Sequence, residues 1–394
     1  MQRPLGPMDA QGLRRERIVH RHIHYRHTRD DQCPGIRRKE FGERWESPMR
    51  YLVTGGAGYL GSQLCARLSL HGHDVVILDR VADNQLAHRF SFARVDLRDA
   101  QAVAGVFKQF GPFDGVFHIA AMLAHAIKDK CDLVDSNVAG TRHIVEAAIA
   151  HGTRHLAYLS SNCVVGKPRS QPVKEDDPIH PLELYGRTKW EGEKLLAEYK
   201  DQADITLIRC PTIMGGGRLG LLSIFYEFIF EDKKVWVLGE GSNRYQFIYA
   251  PDLIDALERA IQIPGFHLYN IGSDHVPTVR EMYQAVIDHA GTRARVASLP
   301  KGPAIVAMEG LHMIGMSPLG PYHYRMMAES FIFDTERIKA ELGWRPTKSN
   351  TEMLIEGYDW YVANYHDIYH ASAQRSAHRQ PVRLQAMALV KWFS

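Results

Sequence analysis

Residues 51–61 read YLVTGGAGYLG, an apolar run that breaks into four glycines within seven positions. MRYLVTGG has the hydrophobic character of a strand buried on both faces. YLGSQLCARLSLHG, residues 59–72, then repeats Leu60, Leu64 and Leu68 every four residues, as one face of a helix requires, and Gly72 closes it. The stretch therefore reads as strand, glycine turn, helix.

That setting is the one a dinucleotide-binding turn requires. Gly55, Gly58 and Gly61 allow a tight turn, a close approach to a pyrophosphate, and packing of the helix on the strand. The helix start at Tyr59 and Leu60 offers free N–H groups and a positive dipole end to the phosphates. The next strand, DVVILDR, ends in Asp79, eighteen residues after Gly61, near the spacing at which a carboxylate receives the adenosine ribose hydroxyls. A carboxylate there favours NAD, because it repels the 2′-phosphate of NADP, whereas the neighbouring Arg80 is able to receive that phosphate. Further strands read out at RFSFARVDL (to Asp96), FDGVFHIAA (to Ala121), RHLAYLSS (to Ser161) and ITLIRCP (to Pro211), with helical segments such as NVAGTRHIVEAAIAHG between them. This alternation implies an α/β chain with a doubly wound parallel sheet and ligands at the carboxyl ends of its strands.

PLELYGRTKWEGEKLLAEYK reads as a helix following Pro181, with Tyr185 and Lys189 four apart on one face. A phenol with a pKa of about 10 is a poor base at neutral pH. A neighbouring ammonium, together with a positive nicotinamide ring, stabilises the phenolate and brings it into working range. On its own such a pair is more often surface decoration than chemistry. Ser161, 24 residues upstream on the ligand edge of the same sheet, changes that balance.

In combination these motifs resemble the extended short-chain dehydrogenases/reductases of the NAD-dependent epimerase/dehydratase family, from about Met49 to Ala363. The resemblance is carried by TGGAGYLG, Asp79, VDLRD, HIAA, SSNCVVG, YGRTK, FIYAPDL and FDTERIKAELGWRP. It implies a Rossmann-type NAD-binding domain over 49–210 and a smaller C-terminal α+β substrate lobe over 211–365. The lobe would be built mainly from 211–235 and 266–340, with a return to the sheet near 243–262. It implies that Asp96 and Leu97 flank the adenine and that Ala120 and Ala121 line the cofactor. Ser161, Tyr185 and Lys189 form its catalytic trio, with Asn137 bracing the helix behind it. It further implies a homodimer through the helices carrying NVAGTRHIVEAA and YGRTKWEGEKLL.

Related 4,6-dehydratases follow the catalytic hydroxyl with an Asp-Glu pair, and related decarboxylases keep a Glu in that stretch. Here the two positions are Asn162 and Cys163, so elimination and decarboxylation by that route are disfavoured. Epimerisation of a nucleotide sugar and simple dehydrogenation both remain open. Two departures concern the substrate diphosphate: Thr212 replaces an Asn many relatives carry, and the offset at which many place an Arg falls on Tyr245. Arg218 and Arg244 are the alternative cations. LLSIFYEFIF and MIGMSPLGPYHYRMM also suit an apolar substrate, as in sterol- and hydroxyacyl-type dehydrogenase relatives, although such stretches are more often core. A redox sensor that only binds the dinucleotide is the non-enzymatic alternative, and retention of both Tyr185 and Lys189 weighs against it.

The remaining composition narrows the partners. Residues 1–48 carry 11 Lys/Arg and 7 Asp/Glu, so +4 of the net +3 lies there and the other 346 residues sum to −1. A globular part so near neutral gives no reason to expect nucleic acid. The preface, with His20, His22, His24 and His27, reads as a solvated basic extension rather than a metal site, with the folded part opening at Met49; 366–394 reads as a tail. Cys33, Cys65, Cys131, Cys163 and Cys210 show no ligand spacing, which suits a reducing, cytoplasmic setting. No stretch approaches the roughly 18 apolar residues of a membrane span.

Overall fold

A computed structural model describes residues 47–123, 129–220, 222–313, 326 and 329–370. The histidine-rich preface, the MIGMSPLGPYHYRMM stretch apart from Met313 and Met326, and the last two dozen residues lie outside them. Six strands come first: β1 (Arg50–Thr54), β2 (Asp74–Asp79), β3 (Ser91–Arg94), β4 (Gly115–His118), β5 (His155–Ser161) and β6 (Asp204–Cys210). The chain then makes β7 (Thr212–Met214), β8 (Lys234–Leu238) and β9 (Phe247–Tyr249), followed by β10 (Phe266–Asn270) and β11 (Arg295–Leu299). The central sheet is parallel throughout, in the order β10-β6-β5-β4-β1-β2-β3, and its two halves diverge at β1 and β4. That divergence is the crevice where doubly wound sheets bind ligands.

The period-two alternation of the strands explains why both faces are covered. Tyr51, Val53, Val75, Ile77 and Phe117 enter one core with helices α1 (Tyr59–Leu70) and, later in the chain, Ala250–Ala260. Leu52, Val76, Leu78, Val116 and Tyr158 enter the other, against α2 (Gly140–Ala150) and α3 (Leu184–Ala197). Two strands end earlier than their apolar runs. β3 stops at Arg94, opposite Asp79, because β2 ends there and leaves Asp96 and Leu97 without a ladder. β4 stops at His118, so Ala120 and Ala121 lie in the loop beyond it.

Helix α4 (Leu222–Phe230) forms as LLSIFYEFIF suggests, and it is core. Phe225, Tyr226, Phe228 and Ile229 pack with Met282 and Val286 of α6 (Val279–Ala290) and with Tyr358 and Tyr361 of α8 (Asn350–Ala363). The parallel β8–β11 pair completes this second cluster. The return to the main sheet, expected near 243–262, extends further than that and corrects the lobe boundary. After α5 (Ala250–Ala260) the chain adds β10 beside β6, with Phe266 opposite Ile205 and Asn270 opposite Arg209. α7 (Glu336–Leu342) follows underneath, where the Tyr269 hydroxyl donates to Glu341 at 2.6 Å.

One carboxylate pins the C-terminal stretch to the sheet. Asp252, near the start of α5, accepts from the Thr347 hydroxyl at 2.6 Å and the Thr347 N–H at 2.8 Å, and its carbonyl accepts from the buried Trp344 indole at 2.9 Å. Asp252→Ala removes a buried acceptor and leaves two donors unpaired, so thermal unfolding should show a loss of about 2–4 kcal/mol.

Candidate active site

The glycine turn folds as its sequence suggests. Gly55 has φ +72° and donates its N–H to the Leu78 carbonyl at 2.8 Å, joining β1 to β2. A Cβ on Gly61 would run into the Gly55 carbonyl oxygen and lie 2.7 Å from the Gly56 Cα, so only glycine lets α1 start this close to the turn. Gly58 caps α1 with no side-chain hydrogen bond, and the first turn, Tyr59 to Gly61, follows at once. Asp79 stands at the end of β2, where its carboxylate accepts from the Ala57 and Val81 N–H groups at 3.0 Å each. It therefore ties the glycine loop to the end of β2. Burial raises its pKa. Arg80 is exposed beside it.

The other expected cofactor residues divide by environment. Asp96 is engaged by Arg98 through its side chain, at 3.0 and 2.8 Å, and this ion pair holds its pKa below the ordinary range. Leu97 is buried and its carbonyl bonds His143 Nδ1 at 2.7 Å. Ala120 donates to the Thr54 hydroxyl at 3.2 Å, and Ala121 is exposed. His118, one strand position beyond Phe117, lies between Thr54 at 2.7 Å and Thr141 at 2.9 Å. Burial, with Lys189 adding to it, pushes its pKa down to about 3, so the ring is neutral at pH 7.

Ser161, Tyr185 and Lys189 come together where β5 meets α3. The Ser161 hydroxyl accepts from the Cys163 N–H at 3.2 Å, capping the short turn Asn162–Val164. Burial holds the half-buried Tyr185 phenol well above its ordinary pKa, and its hydrogen bond with Ser161 acts in the opposite direction. Lys189 is buried, with its ammonium 3.9 Å from the centre of the Tyr158 ring, and makes no hydrogen bond or ion pair with another described residue. Burial lowers it to about 7. An unbonded ammonium this deep is stable only beside a group that supplies acceptors. Asn137, in a π-helical turn, accepts from Met122 N–H at 2.8 Å and donates to Thr188 Oγ1 at 3.1 Å. Thr188 in turn donates to the Tyr185 carbonyl at 2.8 Å, which links the loop after β4 to the Tyr/Lys helix.

The substrate candidates are dispersed. Thr212 opens β7, next to the end of β6. The Arg218 guanidinium lies 6.0 Å from the ring of Tyr59, beside the glycine turn, and donates to the Ile213 carbonyl at 3.2 Å; burial lowers its pKa to about 10. Arg244 is exposed and donates to the Val276 carbonyl at 2.7 Å. Two of the positions that depart from the relatives' pattern meet each other: the Asn162 amide donates to the Tyr245 hydroxyl at 2.8 Å. That contact joins residues 83 apart in sequence, so no local pattern announced it.

Sequence reasoning also missed the acid on α3. Glu193 is buried and binds Arg209 of β6 at 2.7 to 3.2 Å, and it accepts from the Ser160 hydroxyl. The signal was present: Glu193 follows Lys189 by four, as Lys189 follows Tyr185, and a charge inside the buried strand ITLIRC demands a partner. Among the described residues, no group of three or more His, Cys, Asp or Glu is placed to hold a metal, and no helix is long and apolar enough to cross a membrane.

Comparison with known proteins gives a consistent picture. Residues 51–272 match the NAD dependent epimerase/dehydratase family. An uncharacterized protein of Sinorhizobium fredii, y4nG, is 36% identical over 86% of this chain and 85% of its own length. A UDP-glucose 4-epimerase of Mycolicibacterium smegmatis is 30% identical over 62% of this chain and 83% of its own. Among solved structures, a UDP-glucose 4-epimerase from Stenotrophomonas maltophila, with bound NAD and formylated UDP-arabinopyranose, superposes with a TM-score of 0.68 at 25% identity, covering 81% of this chain and 99% of its own.

Gly61→Ala tests the glycine cradle. The added methyl forces α1 away from the turn, so a loss of about 2–4 kcal/mol in thermal unfolding should accompany loss of NAD binding. Unchanged NAD affinity would place the dinucleotide elsewhere.

Proposed function

The chain belongs to the NAD-dependent epimerase/dehydratase family, and we propose that it epimerises a nucleoside-diphosphate sugar, of the 4-epimerase type, with Tyr185 as the base. When bound, NAD supplies reversible hydride chemistry and a positively charged nicotinamide. The residues present fit it: the glycine cradle has room only for bare backbone, and Lys189 carries a buried ammonium in want of acceptors. In this reading the backbone of Gly55, Gly58, Tyr59, Leu60 and Gly61 binds the pyrophosphate. Asp79 takes the adenosine ribose, Asp96 and Leu97 flank the adenine, and Ala120 and Ala121 line the path to the nicotinamide. Arg98 already occupies the Asp96 carboxylate, so backbone and the Leu97 side chain carry the adenine contact.

Lys189 then does two things from one position. Its ammonium bonds ribose hydroxyls, and its charge favours the Tyr185 phenolate against the burial that holds the phenol neutral. Tyr185 accepts the proton of the reacting sugar hydroxyl and returns it to the same oxygen after inversion. Ser161 bonds that oxygen and keeps it in line with the phenol. The observation that carries the choice of reaction is the Asn162–Tyr245 hydrogen bond: where an elimination needs an acid, an amide is held by a phenol. The family's apolar-substrate alternative loses one support, because Leu222–Phe230 is occupied in the core of the second cluster.

Arg218 is the stronger of the two proposed diphosphate cations, since each donates to a backbone carbonyl but only Arg218 lies beside the glycine turn, 6.0 Å from the Tyr59 ring. A homodimer packed through α2 and α3 belongs to the same proposal, and sedimentation equilibrium would report it as twice the chain mass.

Purified protein with bound NAD, given UDP-glucose or UDP-galactose, should interconvert the two with no net gain in NADH absorbance. GDP- and dTDP-sugars, sterols and hydroxy acids complete the screen. Tyr185→Phe should keep NAD and lose about a thousandfold in kcat. NADH that accumulates with substrate would make the protein a dehydrogenase, and NAD-loaded protein that converts no substrate of the screen would end the enzymatic reading.

A further inference from the structure

The Glu193–Arg209 pair has no part in the proton path, yet it lies one helical turn beyond Lys189 and is sealed from water. Tyr185, Lys189 and Glu193 succeed one another every fourth residue, so α3 presents all three along one face. Beneath them, Tyr158 and Ser160 alternate onto one side of β5. Lys189 covers the Tyr158 ring and Glu193 receives the Ser160 hydroxyl. A Cβ on Gly192 would overlap the Tyr158 hydroxyl, so the helix is docked as closely as its backbone permits. Arg209 completes the junction from β6, donating to both Glu193 oxygens and, through its other nitrogen, to the Glu175 carbonyl at 2.9 Å.

The geometry points to Glu193 as a positioning residue for Lys189: it fixes α3 against β5 and neutralises Arg209, so that Lys189 stays an ammonium inside a buried site. The charged and titratable groups around Lys189 are few. On α3 they are Tyr185 and Glu193; from β5 comes Tyr158, from β4 the neutral His118, and from β6 Cys210, while Arg209 of β6 is engaged by Glu193. Arg209 cannot shed its charge. With Glu193 neutral, the buried junction one helical turn from Lys189 would lose a carboxylate and keep an uncompensated guanidinium. Lys189 sits at about 7, so a modest push empties it at neutral pH. The inference rests on the reading of Lys189 as the cation of the site, but its test needs neither NAD nor substrate.

The full chain, labelled with 13C at the lysine ε-carbon, lets each lysine be titrated by NMR, and Lys189 is assigned by its absence in Lys189→Arg. In the unaltered protein it should titrate far below the exposed lysines. Glu193→Gln, which keeps shape and removes charge, should lower that midpoint by about one pH unit. Glu193→Gln combined with Arg209→Met leaves no lone charge, so its midpoint should return to within a few tenths of the original. A packing role alone would loosen the junction, let in water and raise the midpoint toward the exposed lysines. A rise, or no change, in Glu193→Gln overturns the inference. Should that variant fail to fold, the double variant decides: a midpoint held near the original supports it, and one that climbs overturns it.

Discussion

A carboxylate and a guanidinium sealed between one helix and two strands fix the geometry of the candidate site. Glu193 and Arg209 are each only 2–3% exposed at the side chain, where an unpaired charge would cost several kcal/mol. Breaking the pair is therefore far more damaging than forming it is stabilising, and the three elements it joins cannot drift separately. Those elements carry Ser161 at the end of β5, Tyr185 and Lys189 on α3, and the start of β7 just past β6. A hydrogen bond between a serine and a tyrosine on different elements has meaning only if the elements are held to a fraction of an ångström. Ion pairs on the surface could not do this, because water screens them.

The cofactor side is organised by a different rule, closeness of backbone. Gly55 and Gly61 bring β1, β2 and α1 into contact without side chains, and Asp79 ties the loop with its own carboxylate. Tyr59, the first residue of α1, then reaches across to the second cluster, where its hydroxyl donates to the Gly216 carbonyl at 3.3 Å. Glu356 of α8 accepts from the Gly216 N–H at 3.3 Å and from the Tyr249 hydroxyl at 3.2 Å. The loop Gly215–Arg218 is thus held between the dinucleotide turn and the C-terminal helix, and Arg218 inherits its position from both.

The parallel core was legible because its strands are apolar runs between turn signals, and YLVTGGAGYLG announced the order of elements. The ends of β3 and β4 were not, since VDL and IAA continue an apolar pattern while the neighbouring strand has already stopped. β10 was hidden for a related reason: FHLYN is five residues long and becomes a strand only by lying beside β6. Within the site, the placement of Ser161 at the end of β5 and of Tyr185 and Lys189 on α3 was readable from spacing and type. The Asn162–Tyr245 contact was not, for it depends on how β9 and its flanks fold over the end of β5. Glu193 could have been found by asking what partners Arg209 within a buried strand.

Transient oxidation at a single carbon is the central claim, and the fate of the hydrogen on that carbon tests it most directly. UDP-galactose deuterated at C4 of the sugar, turned over in ordinary water by the NAD-loaded protein, should give UDP-glucose that keeps deuterium at C4 with the configuration inverted. Deuterium lost to solvent would show that the carbon is deprotonated rather than oxidised, and would contradict the proposed chemistry.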